Sequence, residues 1–445
     1  MAAFFFAELN ALPLVASQPG AAILAWLDEP TLVDWRRLAQ FDRVLTRHEF
    51  EARLNTIFAP FGGMSSYISI DNHAVAVFAS EARNTSPLVV IRFATESTGR
   101  ANSPVNFRTP GEFVQSRVSS AARPLTGLRI AVDPADIGGK WAVMEDRSVD
   151  FPGYGRINEG DLNLTVAFLL RARLTELGAE VFLVRDRQEP VLAVQASFLL
   201  PEIRQALSER PPLVPESFYE RAKTYHLDDP KQFEAVAGLL LTKTLESHAR
   251  AKLVRQSFKP DLTIVLQHNA TAESTTGGLT RTNRNIFFVN GAYANDELRQ
   301  PAQRFRLLMQ IFENVTPIEA GVASAISHHF KARTNFLPVE YGNSATTRLV
   351  VQDNAYVVAR NLALNRNHEG PVVVTEPYFM NQKDTLVRLL AGDFVGERMI
   401  AGKRYTSIYR EYAECVVDGL LDAYVRQSTS VRRGAPQRPK VIARE

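Results

Sequence analysis

The sequence predicts an α/β protein: a mostly parallel central sheet with helices on both faces, preceded by a smaller N-terminal α+β module. Three observations carry this expectation. From Leu125 onward, short apolar runs recur ("LRIAV", "EVFLV", "DLTIVL", "NIFFV", "PVVVT"), the composition of strands buried on both faces. Helix-period segments separate several of them, which implies βα units. Before Leu125 the rhythm is different, with alternating strands around turn residues and a polar, Pro-containing stretch.

Taken in order, "LTRHEFEARLNTIF" opens with Thr46 and Glu49 at capping-box spacing and continues with a helical apolar pattern. "YISIDNHAVAVF" alternates on either side of Asp71-Asn72 and reads as a β-hairpin. "PLVVIRFA" is another strand, and residues 95–124, rich in Ser, Asn, Arg and Pro, read as a linker. "LRIAV" then opens the α/β part, "DLNLTVAFLLRARLTEL" is a helix ending at Gly178 as a natural C-cap, and "EVFLV" is the next strand. A helical segment over about 188–258, longer than an αβ connection needs, reads as an insertion beside the site. "YREYAECVVDGLLDAYV" is the closing helix, and the polar, basic tail 428–445 reads as disordered. The expected units are therefore 1–124, an N-terminal accessory module and linker, 125–427, and the tail.

Composition narrows the function. The 445 residues are 45% hydrophobic and 22% charged, which suits a protein of two or three domains. No apolar run of about 18 residues occurs, so no membrane span is expected. A net charge of +3 gives no reason to expect a nucleic-acid partner. The single cysteine, Cys415, excludes an internal disulfide framework and any Cys-based zinc cluster, and its place in a late helix reads as a buried thiol. The N-terminus lacks a basic n-region and carries Glu8, a poor signal peptide as written.

Four chemistry-bearing residues fall at the ends of expected strands or at the start of a helix: Asp136 in "DPADIGGK", Glu159 in "INEGDLNL", His268 in "DLTIVLQHNA" and Glu376 in "PVVVTEPYFMN". Ligands of open α/β sheets gather at the carboxyl ends of strands. Each residue alone has a blander reading, as a turn residue, a helix-dipole partner or a hydrogen-bonded structural histidine. Together they make a chemical set. A catalytic zinc takes three N or O ligands and keeps one position for water, which Asp136, Glu159 and His268 could supply, with Glu376 as the proton acceptor. The other histidines (His48, His73, His226, His248, His328, His329 and His368) read as surface or core residues.

In the order and context of these motifs the chain resembles the zinc-dependent N-acetylmuramoyl-L-alanine amidases of the AmiA/AmiB/AmiC and CwlV type. Their "DPGHGG" is similar to "VDPADIGG", their Glu before a helix and "G-x-x-V-x-L-x-R" to "NEGDLNLTVAFLLRARLTELGAEVFLVR", their "aDlfiSiHaN" to "PDLTIVLQHNA", and their closing "vLvE-x-x-F-x-x-N" to "VVVTEPYFMN". The resemblance covers roughly residues 126–427. It implies Glu159 and His268 as zinc ligands, Glu376 as catalytic carboxylate, and peptidoglycan as substrate, cut between N-acetylmuramic acid and L-alanine. It also implies one Zn2+ ion and a periplasmic or cell-envelope location. The chain departs from the pattern at the first ligand, where Asp136 stands for histidine with Ile137 as an extra residue, and in the spacing of Asn381 from Glu376. A site of one histidine and two carboxylates is harder in character and admits Mn2+. Two functions follow as expectations: a metal-dependent peptidoglycan amidase, or a catalytically silent protein of that fold that binds peptidoglycan or regulates another wall hydrolase. A metal-dependent hydrolase of a different amide is a third.

Overall fold

The computed structural model describes residues 33–116, 120–192, 229–341, 344 and 346–426. The tail 428–445, His226 and most of the proximal half of the insertion lie outside them.

The N-terminal part begins with a turn of helix, Trp35–Phe41, and the helix Arg47–Arg53. Thr46 and Glu49 form the expected capping box, each satisfying a backbone N–H that the helix start leaves unpaired. A three-stranded antiparallel sheet follows: β1 (Ile68–Ile70), β2 (Ala74–Val77) and β3 (Val89–Arg92). The expected hairpin joins the first two in the register Ile68↔Val77, and the Asp71 carboxylate closes its turn by accepting the amides of His73 and Ala74.

The α/β body is built on β4 (Arg129–Pro134), with a small hairpin of β5 (Ser148–Phe151) and β6 (Gly155–Asn158) beside it. The remaining strands are β7 (Glu180–Leu183), β8 (Leu262–Leu266), β9 (Arg284–Val289), β10 (Leu337–Pro338), β11 (Thr347–Leu349), β12 (Val357–Arg360) and β13 (Val372–Pro377), and a second hairpin of β14 (Glu397–Ile400) and β15 (Lys403–Thr406) stands apart. The main sheet runs β11-β12-β9-β13-β8-β4-β7, with β10 also on β9. Its pairs are parallel except β11 with β12 and β13 with β9.

Alternation along each strand explains why these runs read as apolar throughout. Ile130 and Val132 face the large core while Ala131 faces Val184 and Val254 on the other side. Phe287 and Val289 likewise face the large core, and Ile286 and Phe288 the opposite cluster. The helix Ile408–Leu421 packs against both Glu159–Glu176 and Thr316–Thr334 on the large-core side, with Cys415 buried as expected. The helix Glu246–Ser257, at the end of the insertion, supplies Val254 to the other face.

The N-terminal part shares the body's core. Phe41 and Phe50 lie against Phe312, with ring centroids 5.8 and 5.3 Å apart. The amides of Ala292 and Tyr293 donate to the carbonyls of Ile57 and Phe58. The stretch 95–124, expected as a linker, carries the helix Pro110–Ser116, whose Phe113 is fully buried against Tyr424. Arg108 in that stretch is ion-paired to buried Asp261.

Candidate functional site

β13, β8 and β4 are neighbours in the sheet, and Glu376, His268 and Asp136 lie at their carboxyl ends. Asp136 follows β4 by two residues, His268 follows β8 by two, and Glu376 is the penultimate residue of β13. Glu159 opens the helix Glu159–Glu176 beside them. The fold thus brings all four expected residues to one place, with the Glu159 carboxylate accepting the backbone amide of His268 at 3.1 Å.

Backbone geometry fixes "DPADIGGK". Asp136 sits at φ +56°, a left-handed conformation that Asp tolerates better than most residues. Gly138, at φ +79°, lies so close to the next helix that an added Cβ would fall 2.8 Å from the Asp161 amide nitrogen. Gly160 faces it, and a Cβ there would meet the Gly138 nitrogen at 2.4 Å. Two glycines therefore let the loop touch the first turn of the Glu159 helix backbone to backbone. The buried Glu145 carboxylate accepts the amides of Ile137 and Gly138, Asp161 accepts that of Gly139, and Arg185 donates to the Pro134 and Asp136 carbonyls.

His268 is held in one tautomer. The Asn163 Nδ2 donates to the Ala135 carbonyl at 2.8 Å, so its Oδ1 must face the imidazole and can only accept. His268 Nδ1, 2.8 Å away, is therefore the protonated nitrogen, and Nε2 carries the lone pair. Burial pushes the His268 pKa down to about 3, so the ring is neutral. The Tyr412 ring packs edge-on against it at 5.4 Å, its hydroxyl tied to Thr375 and to the Gln267 carbonyl. Asn163→Ala is expected to cost about 1–3 kcal/mol, the penalty of an unpaired buried donor. Urea unfolding measures the loss, and the imidazole 15N shifts of His268 should show a mixture of tautomers.

The carboxylates are compensated by side chains. Arg147 Nε lies 3.4 Å from Glu159 Oε2 and 3.6 Å from Asp136 Oδ1. Lys243 Nζ lies 3.2 Å from the same Asp136 oxygen. Burial opposes ionisation of Asp136, but the charges of Lys243 and Arg147 outweigh it and hold its pKa below the ordinary value. Glu159 is pushed up to about 8 by burial and by the Asp136 charge. Burial raises Glu376 to about 7 against the pull of Arg360 and Arg147.

This donor set does not fit a bound divalent ion. Among the described residues, no group of three or more His, Cys, Asp or Glu side chains is arranged to hold a metal. Two cationic side chains already stand at the carboxylates that would have to ligate it.

Sequence reasoning missed Arg147, Lys243, Glu145 and Asn163. Asn163 had a usable signal, since it lies four residues after Glu159 on the same helix face. Lys243 is 107 positions from Asp136 in the chain, and no local pattern marks the pair. Asn381, whose spacing departs from the resemblance, is buried and bonds to Thr271 and the Gly278 carbonyl, pinning the loop after His268.

No family model and no curated sequence matches the chain. Among solved structures it is similar to an N-acetylmuramoyl-L-alanine amidase from Clostridium difficile 630 at 13% identity, over 66% of this chain and 95% of that one, with a TM-score of 0.35. It is similar to the catalytic domain of CwlV, an amidase of that name from Bacillus (Paenibacillus) polymyxa var. colistinus, at 10% identity, over 66% and 96%, with a TM-score of 0.34. Against Cwp6 from Clostridium difficile the identity is 14% over 67% of this chain, but only 29% of that longer chain is spanned, at a TM-score of 0.34. Similarity at this level fixes neither the family nor the activity of the chain.

Proposed function

We propose that the protein is a cell-envelope protein that binds peptidoglycan glycopeptide over Asp136, Glu159, His268 and Glu376 without hydrolysing it. The ligand class rests on the order and context of the sequence motifs. The lack of turnover rests on one observation: Arg147 and Lys243 neutralise the carboxylates that hydrolysis would need as metal ligands. In this reading the neutral His268 offers Nε2 as an acceptor, and Glu376, with its raised pKa, offers a protonated oxygen as donor near and below pH 7.

The test uses a defined N-acetylmuramoyl peptide. Calorimetry is expected to show binding that weakens about 10-fold or more in His268→Ala, the loss of a buried hydrogen bond. Mass spectrometry is expected to show no released stem peptide, with or without added Zn2+ or Mn2+.

A second reading, the metal-dependent amidase with Asp136, Glu159 and His268 as ligands and Glu376 as base, is favoured by the His268 tautomer, which leaves Nε2 available as a ligand nitrogen. It requires Arg147 and Lys243 to move aside. Cleavage of the muropeptide that disappears in Glu376→Ala would select it over the non-hydrolytic reading.

A further inference from the structure

We propose that Arg147 and Lys243 are a tethered pair of counter-cations standing where a divalent ion would bind, and that removing their charges opens a metal site made of Asp136, Glu159 and His268. The inference rests on the reading of this pocket as metal-free and adds what keeps it so.

The need for a cation is set by burial. Asp136 is 8% exposed and Glu159 5%, and two carboxylates this deep require compensation. Arg147 and Lys243 provide it, but loosely. The Arg147 contacts are ion pairs of 3.4 and 3.6 Å, and its buried Nε makes no hydrogen bond. Asp136 Oδ2 is buried and has no hydrogen-bond partner at all. A carboxylate neutralised in charge but left with an unused acceptor is one that a harder, closer cation could still ligate. His268 presents its Nε2 lone pair through the Asn163 bond.

The two cations are also separable from the scaffold. Arg147 stands just before β5, and its backbone carries most of the local turn, with its amide bonded to the Ala142 carbonyl and its carbonyl to the Glu159 amide, while its side chain adds one bond, from Nη1 to the Asp146 carbonyl. Lys243 comes from the helical turn Leu240–Leu245 on the far side. The loop carrying Asp136 is fixed by Glu145, Asp161 and Arg185, none of which the substitutions below touch. What Arg147 and Lys243 do to an incoming divalent ion is repel it across a few ångströms of low-dielectric interior.

The full chain is titrated with zinc alone in a calorimeter, with folding followed by circular dichroism. Wild type and the charge-keeping Arg147→Lys are expected to bind zinc only weakly, with an affinity that serves as the reference. The double variant Arg147→Gln/Lys243→Gln is expected to bind one zinc per chain about 100-fold or more tightly than wild type, given the loss of two nearby unit charges. That site should vanish when His268→Ala is added. Wild type binding zinc as tightly as the double variant overturns the proposal, as does a folded double variant that gains no site. Should the double variant fail to fold, the single variants decide: each is expected to tighten zinc about 10-fold, and no change in either folded single variant overturns the proposal. No glycopeptide enters this experiment. A wild type that fails to bind muropeptide therefore defeats the ligand assignment while leaving the zinc result standing.

Discussion

Replacing Arg250 by alanine is expected to lower the unfolding free energy by about 3–5 kcal/mol, the range for removing one partner of a buried ion pair. Arg250 is 2% exposed and lies directly behind the candidate site. Its Nη1 donates to Asp133 Oδ1 and to the Pro134 carbonyl, each at 3.1 Å, and its Nε to Glu246 Oε1 at 2.7 Å. Glu246 in turn accepts the amides of Val191 and Leu192. Alanine at 250 removes the guanidinium bonded to Asp133 and Glu246, leaving His368 Nε2 at 3.4 Å from Asp133 and the more distant charge of Arg185 as what remains. Asp133 is the penultimate residue of the strand from which the Asp136 loop springs, so the loop should loosen before the sheet melts. Urea unfolding gives the stability, and amide exchange at Ile137 and Gly138 should rise ahead of global unfolding. A loss within the ordinary surface range of about 0.5 kcal/mol would show that the network is not the loop's anchor.

Asp261→Asn is expected to lose roughly 3 kcal/mol at neutral pH and to flatten the acid limb of the stability curve. Asp261 is fully buried and accepts from Arg108, from Arg129 and from both of their backbone amides. Burial opposes its ionisation, but the bonds from Arg108 and then Arg129 outweigh it, and its folded pKa lies below the ordinary 3.8. The sign follows. An acid with a depressed folded pKa contributes stability above its unfolded pKa and loses it as pH falls through the folded one. Wild type should therefore weaken as pH drops from about 4 downward. The asparagine variant, which cannot take up that proton, should show a shallower fall over the same interval. An identical acid limb in both proteins would mean that other groups set it.

Much of this architecture is legible in the sequence because it depends on local pattern. "LRIAV", "DLTIVL" and "PVVVT" are strands because a two-sided sheet buries every position, and "DLNLTVAFLLRARLTEL" is a helix broken at Gly178, whose φ is +98°. Asp136, Glu159, His268 and Glu376 converge because adjacent strands end on the same edge. Residues 95–124 read as a linker because nothing local shows that Arg108 has a partner at Asp261, 153 positions away. Arg147 and Lys243 were invisible for the same reason. A charge on a loop reads as solvated until the fold supplies an opposing one, and the character of the site depends on those two residues more than on the motif letters.

The shared core has a consequence for how the chain is made. Phe41, Phe50 and Phe58 belong to the same buried cluster as Phe312 and Phe330, and Arg53 donates to the carbonyl of Ile311, 258 positions further on. At translation rates of about 5–20 residues per second, the early segment waits roughly 10–50 s on the ribosome before the helix that covers it has emerged. Its three strands are only three or four residues long, and Val75, Val77 and Ile91 belong to a core whose other half, Phe312 included, is made later. The nascent chain therefore carries exposed phenylalanines for most of its synthesis, and folding is a late, long-range event of high contact order. Holdase chaperones that capture apolar nascent segments should raise the yield of this protein far more than its modest sheet size would suggest.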